Sequence, residues 1–133
     1  MVLESEVTIV KQIEIPEAII KLRSDRIVHV YYKENVTIDV GLQTIMLQLF
    51  RDITDNLKAN FIFEADEGFV LTKEARENAK FLEKDTPVSA SAIIVKNLAS
   101  RIVANFFVKV NKPTIKYKLF SNIKEAAAWL KSL

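Results

Sequence analysis

One stretch, from Val88 to Pro113, constrains the fold more than any other part of the chain, because it combines an apolar strand with an amphipathic helix. Ala90 and the run from Ala92 to Val95 are almost continuously apolar, which is typical of a strand covered on both faces. Asn97 follows this run and is suited to cap a helix. The apolar residues of that helix occupy one half of its circumference, and we expect this half to be buried. Its members are Leu98, Ala99, Ile102, Val103, Phe106, Phe107 and Val110.

The N-terminal part of the chain predicts three strands, because β-branched and apolar residues recur there in short runs between turn signals. We place the strands near Thr8 to Ile13, Ala18 to Arg23 and Arg26 to Lys33, with the last two forming a hairpin over Ser24-Asp25. Alternation in the third strand gives it two faces, one with Val28, Val30 and Tyr32 and the other with Ile27, His29 and Tyr31.

Capping residues and apolar stripes predict three further helices. Asp39, Thr72 and Asn122 are suitable N-caps, and the first of these helices should run to about Asp55 or Leu57. The inner faces are expected to consist of Leu42, Ile45, Met46, Leu49 and Ile53 in the first helix, Ala75, Ala79 and Leu82 in the second, and Ile123, Ala126, Ala127 and Leu130 in the last.

Strands near Phe61 to Phe63 and Lys116 to Phe120 complete the alternation, so that the order after the N-terminal strands is α, β, α, β, α, β, α. Such an order predicts an α/β fold with parallel strands joined by right-handed crossovers. We expect one domain over residues 1–133, with a mixed, mostly parallel sheet of five or six strands, four helices and antiparallel N-terminal strands.

Composition excludes several classes of protein. The chain has no cysteine, no apolar run long enough to cross a bilayer and no basic segment of the signal-peptide type at its start, so we expect a cytoplasmic protein without a transmembrane segment. His29 is the only histidine, and Gly41 and Gly68 are the only glycines, which leaves neither a histidine metal cluster nor a glycine-rich phosphate loop. We therefore expect no cofactor and no enzymatic activity.

An acidic group, Glu64, Asp66 and Glu67, follows a predicted strand. Carboxylates that converge after a strand can bind Mg²⁺, but acidic turns are common, and we expect no metal here. An enzyme would be favoured if a pocket joined Asp39, His29 or Glu64 within hydrogen-bonding distance.

Charge is distributed unevenly along the chain. Between Thr86 and Lys124 there are seven basic residues and no acidic one. Within this segment Arg101, Asn105 and Lys109 are four residues apart, so they form one polar stripe on the helix, which Asn111 and Lys112 extend. The stripe could bind an anion or an acidic protein partner, or it could lie along the surface with a purely structural role. Nucleic acid is not an expected partner, because the bases are not interleaved with exposed aromatic residues.

Several segments carry a resemblance to a known family: Val30 to Lys33, Thr72 to Arg76, Ser100 to Pro113, Leu119-Phe120 and Glu125 to Leu130. They resemble a family of small uncharacterised bacterial proteins, common in Bacteroidetes, whose STAS-like fold is similar to that of the anti-sigma-factor antagonists. The resemblance covers residues 18–133 and implies a STAS-like β/α superhelix, with residues 1–17 as an N-terminal strand extension.

The resemblance also implies a class of function. Better understood STAS relatives are switches in which a serine or threonine at a helix start is phosphorylated, within a motif Asp-Ser-Ser or Asp-Ser-Thr followed by glycine. This chain has Asp66-Glu67-Gly68 instead, and Thr72 is the only hydroxyl nearby. Thr72 is thus either a phosphorylation site or a plain N-cap.

These observations lead to two hypotheses of different class. The first is a non-enzymatic, STAS-like regulatory or protein-binding module, which forms a homodimer through its N-terminal edge strands. The alternative is a small-molecule or lipid-binding domain with a Sec14-like core, which a buried cavity would favour.

Overall fold

The structure is a computed structural model that describes residues 6–111 and 114–133, with all their side chains other than those of residues 106–108, 110 and 111. Within these residues the helices are α1 (Val40–Thr54), α2 (Lys73–Leu82), α3 (Leu98–Asn111) and α4 (Ile123–Lys131). The strands are β1 (Ile9–Ile15), β2 (Ala18–Arg23), β3 (Ile27–Tyr32), β4 (Thr37–Ile38), β5 (Ala59–Ala65), β6 (Val70–Leu71), β7 (Val88–Ile94) and β8 (Lys116–Phe120).

A six-stranded sheet in the order β1-β2-β3-β5-β7-β8 forms the centre of the fold. The pairs β1–β2 and β2–β3 are antiparallel, whereas β3–β5, β5–β7 and β7–β8 are parallel. Strands β4 and β6 form a separate short parallel pair that the sequence analysis did not predict as a ladder. The predicted α/β class, with a mostly parallel sheet, antiparallel N-terminal strands and four helices, is confirmed.

The turn between β2 and β3 is held by charge, as well as by the predicted hairpin geometry. Arg23 Nη2 lies 2.7 Å from Asp25 Oδ2, and Lys131 Nζ of the last helix lies 2.9 Å from the same oxygen. These contacts lower the pKa of Asp25 despite its partial burial, which acts in the opposite direction. The ion pair of Lys131 with Asp25 thereby connects α4 to the turn between β2 and β3.

Helix α1 covers one face of β2, β3 and β5. Asp39 caps it as predicted, accepting a hydrogen bond from Leu42 N at 2.8 Å. The prediction for Ile45 is wrong, because this side chain is 50% exposed, and Phe50, which the stripe omitted, is buried instead. The helix is rotated so that its inner face runs through Leu42, Met46, Phe50 and Ile53. The Phe50 ring meets the Phe61 ring edge-on at a centroid distance of 5.0 Å.

Helix α4 covers the opposite face of β5, β7 and β8. Asn122 caps it, with Glu125 N donating to Asn122 Oδ1 at 2.9 Å. Ala126, Ala127 and Leu130 are buried against Ile62 and the alanines of β7, as the sequence predicted. Ile27 of β3 is buried in the same cluster, so on this face α4 covers the start of β3 as well as β5, β7 and β8.

The prediction that one half of α3 is buried is wrong for the residues that can be described. Leu98 is 73% exposed, Ile102 58% and Val103 37%, and Ala99 is exposed as well. The reason is that α3 lies beside α2 and leaves a space above the strands. The side chains of Phe106, Phe107 and Val110, which belong to the same predicted face, lie outside the described residues.

Helices α1 to α4 are all too short or too polar to span a bilayer, so no membrane-spanning helix is found in the described residues.

The rotation of α1 leads to a matched prediction for two isoleucines of the same helix. We expect Ile53→Ala to lower the free energy of unfolding by about 2–5 kcal/mol, because it leaves a cavity in the core. Ile45→Ala should change it by no more than about 0.5 kcal/mol, because half of that side chain is already in water. Urea denaturation of both variants measures the difference, and equal losses would contradict the position of α1 described here.

Candidate functional site

An apolar cavity of about 330 Å³ lies between the sheet and helices α1, α2 and α3. The floor consists of side chains from the central parallel strands, including Phe63, Ser91 and Ile93. The walls are formed by Met46, Leu47 and Phe50 of α1, Ala79 and Leu82 of α2, and Ser100, Val103 and Ala104 of α3. Phe69, Ile115 and Tyr117 complete the lining at the ends.

The cavity lies where α3 packs beside α2 and where several of the lining residues are small. Ala79, Ser91 and Ala104 leave room between the two layers. As a result, Phe63 and Ile93 are only partly buried although they lie on central strands. Protein interiors are normally packed with few voids, and ligand pockets begin at roughly 300 Å³. The unfilled space is therefore of the size and chemistry of a ligand site.

Polar contacts fix the helices around this space. Gln43 Nε2 of α1 donates to Ala75 O of α2 at 2.8 Å, and Asn78 Nδ2 donates back to Gln43 Oε1 at 3.0 Å. These bonds set the distance between α1 and α2. Since α3 lies against α2, they also position the third wall of the cavity.

Glu83, at the C-terminal end of α2, closes one end of the cavity. Its Oε2 accepts hydrogen bonds from Thr114 N at 2.7 Å, Thr114 Oγ1 at 2.9 Å and Ile115 N at 2.9 Å. The carboxylate thus ties α2 to the segment that enters β8, and Ile115 is held in the lining.

A polar cluster lies on the other face of the sheet and joins the neighbouring strands β3 and β5. Glu64 of β5 is almost buried, and its carboxylate lies between His29 Nε2, which is 2.8 Å from Oε1, and Lys96 Nζ, which contacts Oε2. The hydrogen bond from His29, followed by that from Lys96, lowers the pKa of Glu64 to about 2 in spite of its burial. Glu64 is therefore an anion at neutral pH.

Tyr31 and Asp66 form a second contact beside this cluster, through a hydrogen bond from the phenol to the carboxylate. The bond raises the pKa of Tyr31 to about 12 and lowers the pKa of Asp66. His29 and Glu64 thus lie within hydrogen-bonding distance of each other, which is an arrangement that would favour an enzyme. Asp39 is not part of this cluster, because it caps α1. A carboxylate with a pKa of about 2 is a poor proton carrier near neutral pH, so we interpret the cluster as a charge network.

The acidic residues Glu64, Asp66 and Glu67 do not form a metal-binding site among the described residues. Glu64 and Asp66 are engaged by His29, Lys96 and Tyr31. In the part of the chain that the structure describes, no group of three or more histidine or acidic side chains could hold a metal ion.

The structure places the predicted polar stripe on the outer surface of α3. Arg101, Asn105 and Lys109 are exposed, and their side chains make no hydrogen bond or ion pair with another described residue. They lie next to the exposed Leu98 and Ile102, so the surface is both apolar and cationic. The side chain of Asn111 and the whole of Lys112 lie outside the described residues.

Thr72 acts as the N-cap of α2. Its hydroxyl accepts a hydrogen bond from Ala75 N at 3.1 Å. The N-cap interpretation is thus confirmed, whereas phosphorylation of Thr72 stays a prediction.

Sequence reasoning missed the cavity because it expected α3 to be buried. The run of alanine and serine in β7 was the available signal, since small residues opposite a helix leave space, but the same run also fits a tightly packed strand.

Comparison with protein families gives one match, to a domain of unknown function, DUF7793, over residues 20–133. The chain belongs to the DUF7793 family. The matched segment begins within β2 and includes α4, so it contains every described residue of the cavity lining and the charge network of Glu64. Comparisons with curated proteins and with solved structures gave no match.

The depressed pKa of Glu64 predicts how stability depends on pH. The folded state favours the ionised carboxylate, so this contribution is present above about pH 4.5 and is lost as the pH falls towards 2. We expect the stability difference between the unmodified protein and Glu64→Gln to shrink by about 2 kcal/mol between pH 5 and pH 2.

Urea denaturation at several pH values measures this difference. Glu77→Gln, on the exposed side of α2, serves as the control and should give a difference that is flat within about 0.5 kcal/mol. A flat profile for Glu64→Gln as well would show that the network does not stabilise the fold.

Proposed function

We propose that this DUF7793 domain is a non-enzymatic binding protein whose ligand is a small, mainly apolar molecule such as a lipid chain, held between α1, α2, α3 and the sheet. The observation that carries the proposal is the apolar cavity of about 330 Å³. An apolar ligand that fills it gains about 0.8 kcal/mol for each methylene group removed from water, and the pocket is largely preformed.

The partial burial of the floor supports this proposal. Phe63 and Ile93 would become fully buried only when a molecule occupies the space above them. In a self-contained core such positions would be covered by side chains of the protein itself. The alternation of strands and helices is also that expected of STAS-like and Sec14-like cores, and we include a Sec14-like relationship in the proposal.

A cavity-filling substitution tests the proposal. Ala104→Leu places additional carbon atoms in the cavity from its α3 wall, so we expect an environment-sensitive apolar dye to bind about tenfold more weakly or not at all. Ala128→Leu is the matched control, because Ala128 lies on the exposed side of α4 and should leave dye binding unchanged. Fluorescence titration measures both.

Circular dichroism of each variant checks that it is folded. Equal dye affinity for the unmodified protein and a folded Ala104→Leu variant would contradict the proposed site, as would failure of the unmodified protein to bind the dye at all.

A second candidate function is a regulatory protein-interaction module, which the outer surface of α3 favours. Arg101 and Lys109 are exposed without a partner among the described residues, and Leu98 and Ile102 are exposed beside them. An acidic partner with an apolar centre would match this surface in charge and in hydrophobicity. Homodimerisation through the edge strand β1 belongs to the same hypothesis.

We expect Arg101→Ala combined with Lys109→Ala to leave the melting temperature within about 2 °C of the unmodified protein, because both side chains are exposed. Recovery of a native partner in an affinity pull-down should fall. Lys73→Ala combined with Lys124→Ala removes the same charge from other exposed helix positions and should not reduce recovery. A large loss of stability with unchanged recovery would show that the stripe is structural.

A further inference from the structure

The cavity follows strand β7 along its length. Its lining includes Val88 at the start of the strand and Val95 directly after its end, with Ser91 and Ile93 between them. Successive residues of a strand are about 3.3 Å apart, so Val88 and Val95 lie roughly 20 Å from each other. A space of only about 330 Å³ that reaches over this distance is longer than it is wide.

One end of this space is closed by the contacts of Glu83. The carboxylate accepts three hydrogen bonds from Thr114 and Ile115 and thereby holds Ile115 in the lining, just before β8. Thr86 belongs to the same end, and its hydroxyl accepts a hydrogen bond from Val88 N at 3.3 Å. Because these polar groups bond within the protein, the closed end is suited to a methyl group of the ligand and not to its polar part.

The volume limits how many carbon atoms the cavity accepts. An apolar cavity of about 150 Å³ in another protein binds benzene, which has six carbon atoms. The cavity described here is a little more than twice as large, which gives room for about a dozen carbon atoms.

The length of the cavity leads to a similar limit. Contact with the residues at the two ends takes up about 4 Å at each end, which leaves roughly 12 Å of the distance along β7. An extended hydrocarbon chain gains about 1.25 Å with each carbon–carbon bond, so this length accommodates about ten bonds.

We propose that the ligand contains a single unbranched hydrocarbon chain of about a dozen carbon atoms, which lies along β7 with its methyl end at Ile115. This inference rests on the proposed function of the cavity and names the class of molecule that the cavity selects. A lipid with two long chains exceeds the volume. The other end of the chain lies near Ala65 and Val95, at the carboxyl ends of β5 and β7, where ligands of open α/β sheets commonly bind.

Displacement of an apolar fluorescent dye by straight-chain alcohols of 8, 10, 12 and 14 carbon atoms tests this chain length. For the unmodified protein we expect the affinity to rise about fourfold with each added carbon atom up to about twelve, because each further methylene group leaves water. Between the alcohols of 12 and 14 carbon atoms the affinity should rise less than about twofold in total, because the added carbon atoms have no room.

The variant Ile115→Ala tests where the chain ends. It removes three carbon atoms from the closed end of the cavity, so the affinity should rise about tenfold between the alcohols of 12 and 14 carbon atoms. Ile123→Ala is the matched control, because Ile123 is also partly buried but packs on the opposite face of the sheet, and it should keep the limit of the unmodified protein. Circular dichroism checks that both variants are folded.

The outcomes separate this inference from the proposed function. If the alcohols displace the dye but the affinity of the unmodified protein still rises about fourfold per carbon atom from 12 to 14, the chain length is wrong and the apolar site stands. A folded Ile115→Ala variant with an unchanged limit would show that the methyl end lies elsewhere. If none of the alcohols displaces the dye, the proposed function itself is wrong. The series in the unmodified protein does not depend on either variant.

Discussion

The burial of the central parallel strands on both faces is the constraint on which the rest of the structure depends. Strand β5 shows it best, because Phe61 packs under α1 while its neighbour Ile62 packs under α4, and both are fully buried. Burial of this kind contributes most of the free energy that stabilises a domain of this size. Helices α1 and α4 therefore cover the two faces of the sheet at its centre, and α2 and α3 pack outside this core.

The cavity depends on how α3 is attached to this core. Its neighbour α2 is held to α1 by Gln43 and to the segment before β8 by Glu83, and α3 packs more closely against α2 than against any strand. The small side chains of Ser91 and Ala104 both line the open space. The packing of α3 beside α2 thus leaves an apolar pocket beneath α3 and an exposed apolar and cationic surface on its outer side. Each of the two proposed functions is based on one of these features.

Much of the fold was predictable from local signals, but the site was not. Asp39, Thr72 and Asn122 were identified as caps because capping depends on one side chain and the next turn of backbone. The predictions that Ile45 and Leu98 are buried were wrong. Periodicity gives the width of the apolar face of a helix, but it does not determine how the helix is rotated about its axis or which element packs against that face. The contact of His29 with Glu64 depends on the parallel pairing of β3 with β5, which no local pattern encodes.

Methyl NMR during titration with methyl decanoate shows whether the proposed site between α3 and the sheet binds an apolar molecule. Binding there predicts chemical-shift changes that saturate and that are concentrated on Leu82, Ile93 and Val103, with Ile62 and Leu130 on the opposite face of the sheet unaffected. Changes centred on Ile62 and Leu130, or no change at saturating ligand, would contradict it.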